Sequence, residues 1–372
     1  MAESNLHKLG KRGQSVWIDS LSRTMLDSGE LARLMKEDAV VGQTTNPTIF
    51  QKAISSGDAY DEQLKELLTG ETDAKEIFLQ LSSRDVERAL DLFAKVHEQS
   101  PQDGFVSWEV DPTLAYDREA TFDEAMRLHK WIDKPNLYVK IPATKPGLGA
   151  IEDCIAHGKS INVTLIFSLQ RYREVVEAYL RGLERLVASG GNPSTVHSVA
   201  SFFVSRVDTE ADKRLEAVGT KAALALRGKL AIANAKLAYE HYQHEFGSGP
   251  RWEYLAGKGA TPQRCLWAST STKNPDYRDV IYVEELIGPD TVNTMPEETI
   301  QAFQDHGEVR GDTVEDDLEE ARALLHEKLP AVGVDYDDVV ATLEDEGVQK
   351  FSHSFDELRQ GITDKLAVVA AR

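Results

Sequence analysis

The feature that most constrains the fold of this chain is a regular alternation of short apolar runs with longer amphipathic segments. Eight runs have the length and the β-branched, apolar composition of buried strands; they cover residues 15–20, 39–44, 105–110, 137–141, 160–167, 196–204, 264–269 and 291–295. The amphipathic segments include 28–37, 58–69, 83–97, 121–133, 169–187 and 209–246. Strands that alternate with helices are typical of parallel βα units. Eight such units predict an α/β protein with a closed (β/α)8 TIM barrel, and the main alternative is a doubly wound open sheet.

The glycine pattern does not support the open sheet. No predicted strand is followed by G-x-G-x-x-G with an acidic residue about twenty positions later, and the chain has no Walker motif. The nearest approach is Gly147-Leu148-Gly149, which a tight turn at the start of a helix explains better. The barrel is therefore the preferred prediction.

Charge limits the classes of partner. Lys and Arg number 42 against 62 Asp and Glu, which gives a formal charge of −20. Such a charge argues against general binding to nucleic acids or anionic membranes. It does not exclude anionic substrates, because a phosphate site needs only a few local cations or a helix N-terminus.

The cysteines and the N-terminal residues are informative about the cellular compartment of the protein. Cys154 and Cys265 form neither a metal-ligand cluster nor a disulfide framework, and we expect both to be inert core thiols. Residues 1–13 are polar and lack the apolar core of a signal peptide. No stretch approaches the roughly 18 apolar residues of a membrane span. The sequence thus predicts a cytoplasmic protein.

After the eighth predicted strand the chain becomes acidic, with helical patterns at 313–328, 335–346 and 351–370. Its acidic runs are explained by solvated helix faces. No long linker intervenes, so we predict a single barrel domain over 1–372, with an N-terminal segment at 1–14 and an acidic helical extension at 296–372 packed on the barrel. Composition does not decide whether the extension is a stabilising clasp or an interface. A monomer and a homodimer both stay open.

Lys140 lies in the fourth apolar run, Leu137-Tyr138-Val139-Lys140-Ile141-Pro142. Burial disfavours the charged form of an amine, and a neutral lysine is a nucleophile that forms Schiff bases with carbonyls. The alternative is a lysine that reaches solvent or an ion-pair partner at a strand end. The strand alone favours that alternative, so the role of Lys140 depends on which residues the other strands place beside it.

In a parallel barrel the active site forms at the carboxyl ends of the strands. Polar residues cluster there along the chain: Asp19, Asn46, Glu109, Asp111, Lys140, Asn162, Thr164, Ser201, Arg206, Ser269, Ser271 and Lys273. Individually they have simpler explanations: a cap or an arginine partner for Asp19, a turn for Asn46, loop contacts for Glu109 and Asp111, β-propensity for Thr164, and pairing with Asp208 or Glu210 for Arg206. Their joint placement at one barrel mouth favours a shared chemistry.

That chemistry starts with attack of Lys140 on a ketone. Dehydration of the carbinolamine needs an acid/base group, such as Glu109 holding a water against Thr164. The iminium then accepts electrons, so a C–C bond two atoms away breaks when Asp19 removes a hydroxyl proton. Arg206 at the rim would hold a phosphate bidentately. No metal is needed, and we expect no pair of histidines with the spacing of a metal site.

These residues lie in strings that resemble the transaldolase family: WIDSLSR at 17–23, TTNPT at 44–48, VSWEV at 106–110, YVKIPAT at 138–144, NVTLIFS at 162–168 and SFFVSR at 201–206. The strings follow the order found in the family, and the resemblance covers roughly residues 14–310. The acidic tail is similar to the extended form of the family found in some bacteria.

The resemblance implies a transferase of carbohydrate metabolism, without a cofactor, in the non-oxidative pentose phosphate pathway. A dihydroxyacetone unit would pass from sedoheptulose 7-phosphate or fructose 6-phosphate to glyceraldehyde 3-phosphate or erythrose 4-phosphate. The implied catalytic roles are the Schiff-base lysine for Lys140, the acid/base at the C4 hydroxyl for Asp19, and the water-positioning pair for Glu109 and Thr164. The resemblance also implies that the dihydroxyacetone moiety is bound by Asn46, Asn162 and Ser201. The phosphate would be bound by Arg206 and Ser269.

One position departs from the family. Many members carry a second phosphate-binding arginine two residues after the serine matched by Ser269, and this chain has Ser271 there. We expect either Lys273 or backbone N–H groups of the same loop to replace that cation.

Two alternatives to a transferase remain. An aldolase would run only the half reaction and release free dihydroxyacetone, whereas transfer requires an enamine that is not protonated. An apolar ring at the site, such as Phe203, would supply no proton. The other alternative, a non-catalytic barrel that binds sugar phosphates or a protein, would have no use for a lysine flanked by two carboxylates.

Overall fold

Eight parallel strands close into a barrel in chain order, which confirms the predicted fold class. The computed structural model describes residues 4–67 and 73–370. The strands are β1 Gln14–Asp19, β2 Val40–Thr44, β3 Val106–Glu109, β4 Leu137–Pro142, β5 Ile161–Ile166, β6 Ser198–Phe203, β7 Arg264–Ala268 and β8 Thr291–Met295. Their ends lie within two residues of the predicted ones, and β8 pairs with β1 to complete the ring.

Helices surround the barrel. Within the described ranges they are α1 Asn5–Lys11, α2 Arg23–Asp27, α3 Glu30–Glu37, α4 Pro47–Ser55, α5 Asp61–Leu67, α6 Ala74–Gln99, α7 Arg118–Trp131, α8 Lys145–Ala156, α9 Leu169–Ala188, α10 Ser205–Val218, α11 Lys221–Leu224, α12 Leu230–Gly247, α13 Pro250–Gly257, α14 Ile281–Glu285, α15 Glu297–His306, α16 Leu318–Ala323, α17 Leu329–Ala331 and α18 Tyr336–Ala370. Short 3-10 turns lie at Pro112–Leu114, Pro193–Thr195 and Thr313–Glu315, and Leu324–Lys328 is a π-helical stretch.

Four predicted helical segments were wrong in extent. The segment 209–246 is divided into α10, α11 and α12. Gly219, with a left-handed φ of 69°, ends α10, and Gly228, with a φ of 70°, lies in the connection between α11 and α12. The segments 335–346 and 351–370 are one continuous helix, α18, and the segment 313–328 is a 3-10 turn, α16 and the π-helical stretch. The last two residues of the predicted helix 58–69 lie outside the described residues.

Capping side chains start the helices directly after several strands. Asn46 accepts from the Ile49 N–H at 3.0 Å at the start of α4, and Thr144 accepts from the Gly147 N–H at 3.0 Å at the start of α8. Such caps satisfy N–H groups that have no partner within the helix. The chain therefore passes from strand to helix in short connections, which fixes the side chains at the barrel mouth.

Close approach in the wall requires glycine at one position. A Cβ on Gly42 of β2 would lie well inside the van der Waals contact distance of the buried indole of Trp17 on β1. The two strands pair in this region, with Trp17 opposite Gly42. The large ring therefore fits only because its neighbour has no side chain.

The C-terminal extension covers the carboxyl end of the barrel. Gly347 of α18 packs on Leu165 and Phe167, where a Cβ would meet their side chains at 3.1–3.2 Å. Further along, Ser354 accepts a hydrogen bond of 2.9 Å from the Thr48 hydroxyl, and Lys365 donates to the carbonyl of Ile54 at 2.9 Å. The helix thus crosses from β5 to α4. The division of the chain into a barrel domain and an extension stays a prediction.

Cys154 and Cys265 are buried and have free thiols, as expected. Across residues 4–67 and 73–370, none of the helices combines the length and the apolar character needed to cross a membrane.

Candidate active site

A cavity of about 350 Å3 opens at the carboxyl ends of the strands. It brings together eight of the residues predicted from the sequence: Asp19, Asn46, Lys140, Thr164, Ser201, Arg206, Ser269 and Lys273. The other two, Glu109 and Asn162, do not line it, but each contacts a residue that does. All ten therefore belong to one constellation, although their individual roles stay predictions.

Lys140 of β4 is buried, with 4% of its surface exposed. Its Nζ donates to the carbonyl of Thr45 at 3.0 Å and lies 3.4 Å from Oε2 of Glu109. Strand register places Glu109, Lys140 and Asn162 side by side on β3, β4 and β5. The alternative of a lysine that reaches solvent is therefore wrong. The alternative of an ion-paired lysine is met by Glu109, which lies inside the barrel.

Glu109 is a buried carboxyl group whose pKa lies close to neutral pH. Burial raises its pKa to about 7; Lys140 opposes this shift and Asp19 adds to it. Neither its carboxylate oxygens nor the Thr164 hydroxyl completes a hydrogen bond within the part of the chain that the structure describes. A group with such a pKa can both take up and release a proton at neutral pH.

A bulge in β5 lies next to Thr164. The register with β6 shifts between Val163 and Ile166, and Leu165 has a φ of 60°, which is unusual for a residue with a side chain. Bulges are frequent next to active sites, where they redirect side chains. Here Thr164 keeps its place in the cavity wall, while the side chain of Leu165 contacts Gly347 of α18.

Asp19 ends β1 opposite Thr44 of β2. Its Oδ1 accepts a hydrogen bond of 2.6 Å from Thr44, whose hydroxyl also lies 2.6 Å from that of Thr294. Burial raises the pKa of Asp19, and the positive charge of Lys140 is the largest opposing influence. The carboxyl group is therefore poised for proton exchange within the cavity, and it does not cap a helix.

Three amide and hydroxyl groups surround the lysine end of the cavity. Ser201 donates to Oδ1 of Asn162 at 2.7 Å, and Nδ2 of Asn162 donates to Ser107 at 2.9 Å. Asn46 lines the cavity while its Oδ1 caps α4. Asn46 is thus a helix cap rather than a turn residue, and its role in binding stays a prediction.

Cationic side chains other than Lys140 also line the cavity. Arg206, near the start of α10, forms no ion pair among the described residues, and its Cζ lies 5.1 Å from the ring centre of Phe203. Asp208 accepts instead from Tyr282 at 2.8 Å, and Glu210 pairs with Arg214 at 2.8 Å. The simpler explanation of Arg206 as the partner of those two carboxylates was therefore wrong.

The loop after β7 contributes further residues to the cavity. Ser269 has a φ of 58°, and its hydroxyl lies 2.9 Å from that of Ser205. Lys273 lines the cavity and donates to the hydroxyl of Ser271 at 2.6 Å. Lys273 therefore adds a positive charge to the cavity, and its part in phosphate binding stays a prediction.

Several lining residues were missed by the sequence reasoning: Thr44, Lys52, Thr294, Glu298 and Phe351. Thr44 lies in the TTNPT string at 44–48, in which the sequence predicts a role for Asn46 alone. Phe351 comes from α18 in the acidic extension, and nothing in the local sequence there signals a site. By contrast, Asp111 has the loop role expected for it, since it caps the turn at Pro112–Leu114 and pairs with Lys75 at 2.9 Å.

One group of potential metal ligands occurs among the described residues, away from the cavity lining. His241, His244 and Glu245 lie on α12, and their ligand atoms are within 4.8 Å of one another. The expectation that no histidine pair has suitable spacing was therefore wrong. None of the three residues lines the cavity, and chemistry at Lys140 without a metal stays a prediction.

Comparison with known proteins agrees with this geometry. The sequence model of the family described as Transaldolase/Fructose-6-phosphate aldolase matches residues 16–362. Transaldolase 1 of Streptomyces coelicolor is 53% identical over 362 residues, which are 97% of this chain and 94% of that protein. The transaldolase of Frankia alni is 52% identical over 97% of both chains.

The transaldolase of Mycobacterium tuberculosis is 52% identical over 357 residues, 96% of this chain and 95% of that protein. These matches extend beyond the range of 14–310 recognised in the sequence and include most of the acidic extension. The resemblance is confirmed, and the chain belongs to the transaldolase/fructose-6-phosphate aldolase family.

Proposed function

We propose that this chain is a transaldolase, a transferase of the pentose phosphate pathway. It moves a dihydroxyacetone unit from fructose 6-phosphate or sedoheptulose 7-phosphate to erythrose 4-phosphate or glyceraldehyde 3-phosphate. The observation that carries the proposal is the buried amine of Lys140, which shares a cavity with Asp19. The amine lies 3.4 Å from the carboxyl group of Glu109, whose pKa is about 7.

Schiff-base formation involves Lys140, Glu109 and Thr164. The amine has to be neutral to attack the ketone carbon, and Glu109 is the carboxylate within reach to accept its proton. Loss of water from the carbinolamine requires a proton donor. Glu109 and Thr164 are buried polar groups without described hydrogen-bond partners, the kind of groups at which an ordered water binds. A water held there relays the proton.

Cleavage of the C–C bond is the task of Asp19. As carboxylate it removes the proton of the C4 hydroxyl, the C3–C4 bond breaks, and the bonding electrons pass into the iminium to give an enamine on Lys140. The hydrogen bond from Thr44 orients the carboxylate. In the second half reaction Asp19 returns the proton to the oxygen of the acceptor aldehyde.

The phosphate binds to the cationic side chains of the cavity. Arg206 has donors that no described carboxylate occupies, Ser269 presents a hydroxyl, and Lys273 adds a second positive charge. Guanidinium and ammonium groups bind phosphate with charge-assisted hydrogen bonds. Asn46, Asn162 and Ser201 hold the hydroxyl groups of the dihydroxyacetone unit.

An aldolase is the second candidate, because the family name covers both activities. Phe203 lines the cavity and carries no acidic proton, so it cannot protonate the enamine; this favours transfer. Fructose 6-phosphate is supplied with and without erythrose 4-phosphate. A transaldolase releases glyceraldehyde 3-phosphate rapidly only with the acceptor, whereas equal release without it would contradict transfer.

Borohydride trapping tests the Schiff base itself. The protein is treated with fructose 6-phosphate and borohydride, digested, and analysed by peptide mass mapping. The three-carbon or six-carbon adduct is expected on Lys140 alone. Lys52 and Lys273 line the same cavity and serve as internal controls. An adduct on either of them, or none at all, would reject the mechanism and favour a binding protein. A cytoplasmic location and the oligomeric state stay predictions.

A further inference from the structure

One aromatic ring from the acidic extension lies close to both Lys140 and Arg206. The ring centre of Phe351 lies 5.7 Å from Nζ of Lys140 and 5.9 Å from Cζ of Arg206. The side chain is 3% exposed and lines the cavity. Cations at such distances from a ring face are attracted by its quadrupole. The ring therefore forms part of the cavity wall beside both the nucleophile and the proposed phosphate-binding arginine.

The position of this ring is fixed by its helix. Gly347, Phe351 and Phe355 follow one another at intervals of four residues and share one face of α18. Gly347 packs on Leu165 and Phe167, and the ring of Phe355 meets that of Phe78 with centres 5.7 Å apart. The helix is thus held to the barrel one turn before and one turn after Phe351.

We propose that Phe351 is a specificity-determining residue that keeps water from the enamine on Lys140 and so directs this intermediate to the aldose acceptor. The proposal rests on the proposed function. It assigns to the extension a part in the reaction that its charged composition does not suggest.

The enamine has two fates, and both use its nucleophilic carbon. In transfer, this carbon forms a C–C bond with the acceptor aldehyde, whose oxygen gains a proton, and one water hydrolyses the resulting iminium to give the ketose phosphate and free amine. In the side reaction, the carbon takes a proton from water, and hydroxide adds to the iminium. Collapse then releases dihydroxyacetone and the amine, so that one water is consumed in total.

The side reaction alone needs water at the enamine carbon. Exclusion of water from closed sites prevents hydrolysis of reactive intermediates. Phe351 offers no proton and no hydrogen-bond acceptor, and it lies beside the nitrogen that carries the intermediate. Its removal would admit water there while leaving Lys140, Asp19 and Glu109 in place.

Phe351→Ala tests the proposal, with Phe355→Ala as the matched control, because both rings are buried on the same face of α18 and only Phe351 lines the cavity. Free dihydroxyacetone and sedoheptulose 7-phosphate are measured with fructose 6-phosphate and limiting erythrose 4-phosphate. We expect the ratio of dihydroxyacetone to transfer product to rise by about tenfold in Phe351→Ala and to stay at the wild-type value in Phe355→Ala.

Phe351→Leu keeps the test decisive if the alanine variant does not fold, since it retains an apolar side chain and is expected to give an intermediate ratio. Unchanged ratios in the folded Phe351 variants would overturn the proposal. An equal rise in Phe355→Ala would also overturn it, because the helix as a whole would then be responsible. Borohydride labelling of Lys140 in the wild-type protein is measured separately, and its failure would reject the proposed function instead.

Discussion

Lys140 and Glu109 face each other from neighbouring strands inside the barrel, with Nζ 3.4 Å from Oε2. The carboxyl group is held near a pKa of about 7 by burial, against the pull of the lysine charge. A nucleophile and a proton acceptor are thus placed at one depth in the barrel wall.

Replacement of Lys140 by arginine should abolish transfer while the protein stays folded. The guanidinium group stays protonated at any working pH and cannot attack a ketone, although it can still pair with Glu109. We expect the rate to fall by about three orders of magnitude or more, together with loss of borohydride trapping. Circular dichroism and thermal unfolding serve as controls for the fold. Residual trapping elsewhere in the cavity would contradict the assignment of the nucleophile.

Asp19→Asn should slow C–C cleavage more than formation of the Schiff base. The amide keeps the hydrogen bond with Thr44 within reach but cannot accept the hydroxyl proton. Loss of a general base costs about 10²–10⁴ in rate. Single-turnover measurements of adduct formation and of glyceraldehyde 3-phosphate release separate the two steps. Equal slowing of both steps would show that Asp19 has another role.

The pH profile should report Glu109. With a pKa of about 7 in the free enzyme, the group is protonated below that pH and cannot accept the proton of Lys140. We therefore expect kcat/KM to fall as the pH is lowered through about 7. Glu109→Gln has no proton to lose, so this acid limb should disappear in the slower variant. A limb that persists unchanged in Glu109→Gln would assign it to a different group.

Lys273→Ala should raise KM for phosphorylated substrates. The amine shares the cavity with Arg206 and lies beside Ser271, so its loss removes one charge-assisted contact; we expect a rise of about tenfold with a smaller change in kcat. Lys273→Arg should retain most of the affinity, and fructose without phosphate should be used equally well by all three proteins. Unchanged KM values in Lys273→Ala would leave the backbone N–H groups of the loop as the replacement for the missing arginine.

Gly42→Ala tests the packing of the barrel wall. The added methyl group would collide with the indole of Trp17, and such overpacking lowers the free energy of unfolding by about 1–3 kcal/mol. Gly10→Ala is the matched control, since Gly10 lies in α1 with no atom within 4 Å of the added Cβ, and it should stabilise slightly. Denaturant unfolding of both variants gives the comparison. A neutral effect of Gly42→Ala would show that the strands can move apart.

The barrel and much of its site could be predicted because both depend on local patterns. Polar residues such as Asp19 and Lys140 end apolar runs, and parallel strands bring such ends to one rim. The breaks at Gly219 and Gly228 were missed because amphipathic periodicity continues across them. Gly347 does not break α18, since that helix is held by packing on Leu165 and Phe167. Phe351 was unpredictable, because its contacts with Lys140 and Arg206 depend on where α18 docks.

The crossing of α18 over the barrel mouth also sets an order of assembly. Every side chain proposed to take part in bond making or phosphate binding lies within the first 273 residues, whereas the ring that covers them is residue 351. On a ribosome the reactive groups therefore emerge well before the part that shelters them. The reactive side chains and the ring that covers them are encoded in separate stretches of the chain. Shortening the C-terminus would therefore remove the ring of Phe351 and leave the reactive side chains in the sequence.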